Sequence, residues 1–169
     1  MKISFINPAA LAEPSGYNNG VLVEGGQLLF VAGQIGWDRT RRIVSDDFAD
    51  QFALALENVL TIVREAGGDA SSIVNMRVYI TDKKEYTSRL KEIGSVYRQV
   101  MGKHFPAMAL VEVSALVEDL AKVEIEAMAC IEVRPQQEGA QQEGAQQENA
   151  KQDARPGPAE PVASDGGQK

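Results

Sequence analysis

The sequence predicts an α+β fold in which two helices cover one face of a single sheet. Three observations carry that expectation. Apolar residues step by three and four through Phe48, Phe52, Ala55, Leu56, Val59, Leu60 and Val63, and again through Tyr86, Leu90, Ile93, Tyr97 and Met101. Strict alternation marks residues 73–80 and 122–133 as strands. All ten aromatic residues and every Leu and Ile lie before Arg134, which places the core in residues 1–133.

The elements follow in order. Residues 2–6 supply an additional edge strand. Val21-Leu22-Val23 and Leu28-Leu29-Phe30-Val31 flank Glu24-Gly25-Gly26-Gln27, the pattern of a hairpin. The second strand runs into Ala32-Gly33-Gln34-Ile35-Gly36-Trp37, where two glycines in four residues permit a bulge or a close backbone approach. That segment is either the wall of a site or a strand ending in a turn.

The first helix begins near Phe48, with Ser45 as its expected cap, Asp46 and Asp47 at the positive end of its dipole, and Gly67-Gly68 as its stop. In the strand at residues 73–80, Val74, Met76, Val78 and Ile80 share one face and Asn75, Arg77 and Tyr79 the other. Asp82 with Glu85 opens one continuous second helix. After Pro106, strands are expected at residues 107–115 and 122–133. In the last of these Val123, Ile125, Ala127, Ala129 and Ile131 point one way, and Glu124, Glu126, Met128 and Cys130 the other. The second sheet face, half apolar and half charged, is expected to meet another subunit.

Residues 134–169 hold four of the seven prolines, five of the fifteen glycines and a five-residue repeat, Gln-Gln-Glu-Gly-Ala. That segment is too poor in apolar side chains to offset its ordering entropy, so it is expected to be a disordered tail behind a domain at 1–133. Of the net charge of −7, Arg134, Lys151, Arg155 and Lys169 against Glu138, Glu143, Glu148, Asp153, Glu160 and Asp165 leave −2 on the tail and −5 on the body. An acidic body repels phosphate backbones and anionic lipid, so neither nucleic acid nor membrane is an expected partner. No apolar run approaches the roughly 18 residues of a spanning helix, and a cytoplasmic location is expected. The single Cys130 excludes an internal disulfide and is read as a small buried residue; the single His104, a loop residue, lacks companions for zinc, and no metal is expected.

No nucleophile elbow, phosphate loop, dinucleotide fingerprint or zinc-protease motif is present. Instead, Pro14-Ser15-Gly16-Tyr17-Asn18-Asn19-Gly20-Val21, Ala32-Gly33-Gln34-Ile35, Glu57-Asn58-Val59 with Ala66-Gly67, Pro106-Ala107 and Val123-Glu124-Ile125-Glu126-Ala127 occur in sequence. In this order and spacing they resemble the YjgF/Rid family of enamine and imine deaminases, over about residues 1–133. The resemblance implies a chorismate-mutase-like subunit with one mixed sheet, a homotrimer around a central barrel, and three clefts between neighbouring subunits. It implies hydrolysis of small reactive imines and enamines to a carbonyl compound and ammonia, with no cofactor.

By the same resemblance, Tyr17 contributes a hydroxyl, Ala32, Gly33, Gln34 and Ile35 line the substrate, and Glu124 orients or activates water. Three positions depart from the family pattern. Met108 stands where an arginine grips the substrate carboxylate, Ala32 replaces a serine, and Gly94 replaces an asparagine. A thioether cannot replace a bidentate guanidinium, whose hydrogen bonds to a charged group contribute about 1.5–3 kcal/mol each, so an altered substrate is expected. Glu124 is expected beside Met108 on the adjoining strand, in a partly desolvated pocket suited to acid–base work. It is otherwise a solvated charge, the reading preferred for Glu126. Arg77 is expected to form a structural ion pair rather than a substrate clamp, and Trp37 roofs the cleft or sits in an exposed loop or at an interface. Two functions stay open: a Rid-like hydrolase, or a non-catalytic homologue that binds small metabolites or protein partners in the same clefts.

Overall fold

The computed structural model of the protein describes residues 1–133. The expected disordered tail at 134–169 lies outside the described residues. The elements are β1 (Lys2–Ile6), β2 (Gly20–Glu24), β3 (Gln27–Ile35), α1 (Phe48–Glu65), β4 (Ile73–Ile80), α2 (Lys83–Ser88), α3 (Leu90–Met101), β5 (Ala107–Glu112) and β6 (Val123–Ile131). Four strands form a mixed sheet in the order β3-β6-β4-β5, parallel between β4 and β5 and antiparallel elsewhere. No helix among the described residues is long and apolar enough to cross a membrane.

The expected hairpin does not form. β2 pairs with β1, from Lys2 opposite Glu24 to Ile6 opposite Gly20, while β3 takes β6 as its partner from its first residue, Gln27 opposite Ile131. Nine-residue β3 matches nine-residue β6 along its whole length, which five-residue β2 cannot. The linking glycines, both at positive φ, pack on β6 instead: Cys130 Sγ donates to Gly25 O at 3.2 Å, and a Cβ on Gly26 would lie 2.5 Å from that sulfur. Cys130 is therefore buried although it alternates with the residues of the uncovered face.

Helix α1 buries the expected stripe against the sheet, with Phe48, Ala55, Leu56, Val59 and Val63 completely enclosed. Its cap is Asp47, not Ser45. Asp47 Oδ1 accepts from the backbone N–H groups of Ala49 and Asp50, while Ser45 Oγ accepts from Asp47 N and donates to Asp50. Gly67, at φ +87°, ends the helix as expected.

The second helical segment is broken rather than continuous. Asp82 caps α2 as expected, but Thr87 and Ser88 turn their hydroxyls back onto the carbonyls of Lys84 and Glu85, and the chain kinks at Arg89. Leu90 is consequently exposed, whereas Ile93, Tyr97 and Met101 remain in the core. Strand β5 stops at Glu112, three residues short of expectation.

Candidate functional site

Strand β3 carries a bulge, one of the alternatives its glycines left open, with a register shift between Val31 and Gln34 opposite β6. Side chains fix the backbone around it. Gln34 Nε2 donates to the carbonyls of Ala32 and Gly33, both at 3.1 Å, and Asn58 Nδ2, from α1, donates to Ile35 O at 3.1 Å and Trp37 O at 3.2 Å. Asn58 belongs to the Glu57-Asn58-Val59 motif, and its positioning role emerges only once α1 is packed beneath β3.

Gly33 makes room for Glu124. A Cβ on Gly33 would lie 2.7 Å from the carboxyl carbon of Glu124, so the carboxylate rests directly on the glycine backbone. Gly36 serves packing instead: a Cβ there would lie 2.7 Å from the Gln51 Cα in α1. Glu124 sits opposite Ile35 on β3 and Tyr79 on β4, is half-buried, and takes up no hydrogen bond among the described residues. Its carboxylate is thus available to water or ligand.

Glu126, two residues on, is engaged. Arg77 Nη1 reaches Glu126 Oε1 at 2.7 Å, and the Tyr79 hydroxyl donates to the same oxygen at 3.1 Å. The Arg77 hydrogen bond, ahead of that from Tyr79, holds the Glu126 carboxyl below its ordinary pKa, and Glu126 in turn raises the Tyr79 phenol. Arg77 is therefore the structural ion-pair partner expected, and Glu126 is not a free acid.

Tyr17 and Met108 lie elsewhere. Met108 pairs with Met76, and Leu110 with Val78, so both face the helices; Ala107 and Ala109 pair with Asn75 and Arg77 on the uncovered face. Tyr17 follows Gly16, which has φ +77°. Its segment is moored to the start of β5, because Asn18 N donates to Pro106 O at 3.0 Å and its side-chain amide donates to Phe105 O. Exposed Tyr17 thus lies beside the β5 edge, near a pocket of about 570 Å³ lined by Met108, Gly94 and Arg98.

The expectation that Glu124 adjoins Met108 is corrected by the strand order. β4 separates β5 from β6, and the two side chains leave opposite faces of the sheet. Residues 32–35 and Glu124 form one group, and Tyr17 and Met108 a second, within a single chain. His104 is a loop residue as expected, its Nε2 2.6 Å from Ile73 O. Trp37 is half-buried and forms a bridge with Ile43.

Comparison with known proteins matches the family model described as Endoribonuclease L-PSP over residues 8–131. The 2-iminobutanoate/2-iminopropanoate deaminase of Homo sapiens is 32% identical over 114 residues, covering 67% of this chain and 78% of the relative. Among solved structures, the Rid-family protein YyfB of Yersinia pestis superposes with a TM-score of 0.69 at 28% identity, covering 78% of this chain and all of that one. Escherichia coli TdcF, solved with bound serine, gives 0.55 at 35% identity, covering 75% of this chain and 94% of that one.

Proposed function

Because the chain belongs to the YjgF/Rid family, whose model carries the endoribonuclease L-PSP description, we propose that it is a cytoplasmic hydrolase of small reactive imines and enamines. Its products are a carbonyl compound and ammonia. The observation that carries the reading is the unengaged Glu124 carboxylate seated on Gly33, beside a backbone wall held by Gln34 and Asn58. The deaminase name of the human relative supports the reaction class. The net charge of −7 speaks against ribonuclease action, since an acidic protein repels a phosphate backbone.

In this scheme Glu124 accepts a proton from water as the water oxygen adds to the imine carbon, and returns it to nitrogen. The resulting carbinolamine loses ammonia and leaves a C=O bond, so imine and water balance carbonyl compound and ammonia without a further reactant. The Tyr17 hydroxyl offers a polar contact to the substrate, and Met108 an apolar one. Since Glu124 and Met108 face away from each other in one chain, the complete cleft joins the β3–β6 side of one copy to the β5 edge of the next, in a homotrimer.

The test generates 2-iminopropanoate and 2-iminobutanoate in situ and follows ammonia. The wild type accelerates release, and Glu124→Gln lowers kcat by about 10²-fold or more, the usual contribution of a general acid–base. Absence of acceleration by the wild type on any imine contradicts the reading. Met108 favours one second reading, a non-catalytic homologue that binds metabolites in the same clefts. Under it, ammonia release stays at the background rate, and Met108→Arg creates activity only if the rest of the cleft is competent.

A further inference from the structure

The pocket beside β5 contains one charged side chain among the described residues that line it. Met108, Leu110, Ile93, Tyr97 and Phe105 supply apolar walls, Tyr97 stacks on Phe105 at 5.3 Å, and no carboxylate takes part. The cation is Arg98, one helical turn after Gly94 on α3. A Cβ on Gly94 would lie 3.4 Å from Arg98 Nη1 and 3.8 Å from Nη2, ordinary van der Waals contact, so the guanidinium lies directly beside the bare glycine. Arg98 makes no ion pair or side-chain hydrogen bond among the described residues, whereas its neighbour Arg89 engages Asp47, Glu85 and Glu92. The Tyr97 hydroxyl is no competing donor, since it is committed to His104 O at 2.9 Å.

An unengaged guanidinium at the mouth of an apolar pocket suits an anion with an apolar body, because a carboxylate takes two parallel hydrogen bonds from its planar fork. We propose that Arg98 is the specificity-determining cation of this site, receiving the carboxylate of 2-imino acids whose apolar side chain packs against Met108. The proposal rests on the hydrolase reading for the imine, but not for the anion. The apolar walls of Met108, Leu110, Ile93 and Phe105 favour large apolar side chains, so branched-chain and aromatic 2-imino acids are preferred over three- and four-carbon acids. Glycine at position 94 is part of the device, since a Cβ there would already touch the guanidinium and a side chain extending beyond it crowds Arg98.

The test uses the full chain and a stable probe, 4-methyl-2-oxopentanoate, with its uncharged amide as control, titrated by calorimetry. Arg98→Gln weakens binding of the acid about 10- to 100-fold, the loss of a charge-assisted pair, and leaves the amide unchanged; Arg98→Lys recovers part of the loss. Gly94→Asn weakens the acid as Arg98→Gln does. Equal binding of the acid by wild type and Arg98→Gln, or no binding by the wild type, overturns the proposal. Arg98-dependent binding of the acid without ammonia release from any imine overturns the hydrolase reading and leaves the anion site standing.

Discussion

Gly33 and Gly36 are three residues apart, yet replacing each has a different consequence. At Gly33 an added Cβ meets the end of a flexible side chain, the Glu124 carboxyl, which can rotate away. Gly33→Ala therefore leaves the melting temperature nearly unchanged while ammonia release collapses. At Gly36 the Cβ meets the Gln51 backbone in α1, which cannot move without dragging the core, so Gly36→Ala destabilises by about 1–3 kcal/mol in chemical denaturation. Spacing alone marked both glycines as permissive and did not say which one faces a functional group. Glu126 offers a pH test. Its folded-state pKa lies below the ordinary value, so the Arg77 contact stabilises fully above about pH 4.3 and its contribution fades as pH falls through the lowered pKa. Because both partners are partly exposed within one copy, Glu126→Gln lowers stability only slightly at pH 7, and the difference from wild type fades in melts taken below the ordinary carboxylate range.

Element by element, what was local in origin was legible. The stripe of α1 and the alternations of β4 and β6 read directly from the chain, because burial of one face imposes its period. Of the four departures among the elements, two, the α1 cap and the hairpin, arise from competition. Ser45 and Asp47 are both good caps, and Asp47 prevails because its carboxylate also reaches Arg89 at 2.8 Å, tying the start of α1 to the α2–α3 kink. Asp47→Ala should therefore cost about 1 kcal/mol or slightly more in urea unfolding, compared with about half that or less for Ser45→Ala. The hairpin failed because β3 had a longer partner, β6, almost a hundred residues away, and no local pattern reveals that. The same gap in knowledge put Glu124 beside Met108: each residue was chosen from its motif, but their separation follows from the order β3-β6-β4-β5.

At the scale of the molecule, the sheet face away from the helices leaves Phe30 70% and Leu28 63% exposed beside the Arg77–Glu126 pair. Large apolar side chains grouped on a half-charged face mark an association surface. If the proposed trimer is built on this face, Phe30→Asp shifts the protein from trimer to monomer in light scattering, with its circular dichroism retained and its ammonia release lost. The most direct test of a site shared between copies is complementation between two inactive chains. Glu124→Gln removes the acid–base group on one side of the cleft, and Gly94→Trp fills the pocket on the other. Co-assembled in equal amounts, they leave about a quarter of the clefts with both halves intact, since each cleft draws one half from each of two neighbouring copies. Ammonia release near a quarter of the wild-type rate is the predicted result; release no greater than that of the two variants assayed separately would contradict a site completed across subunits.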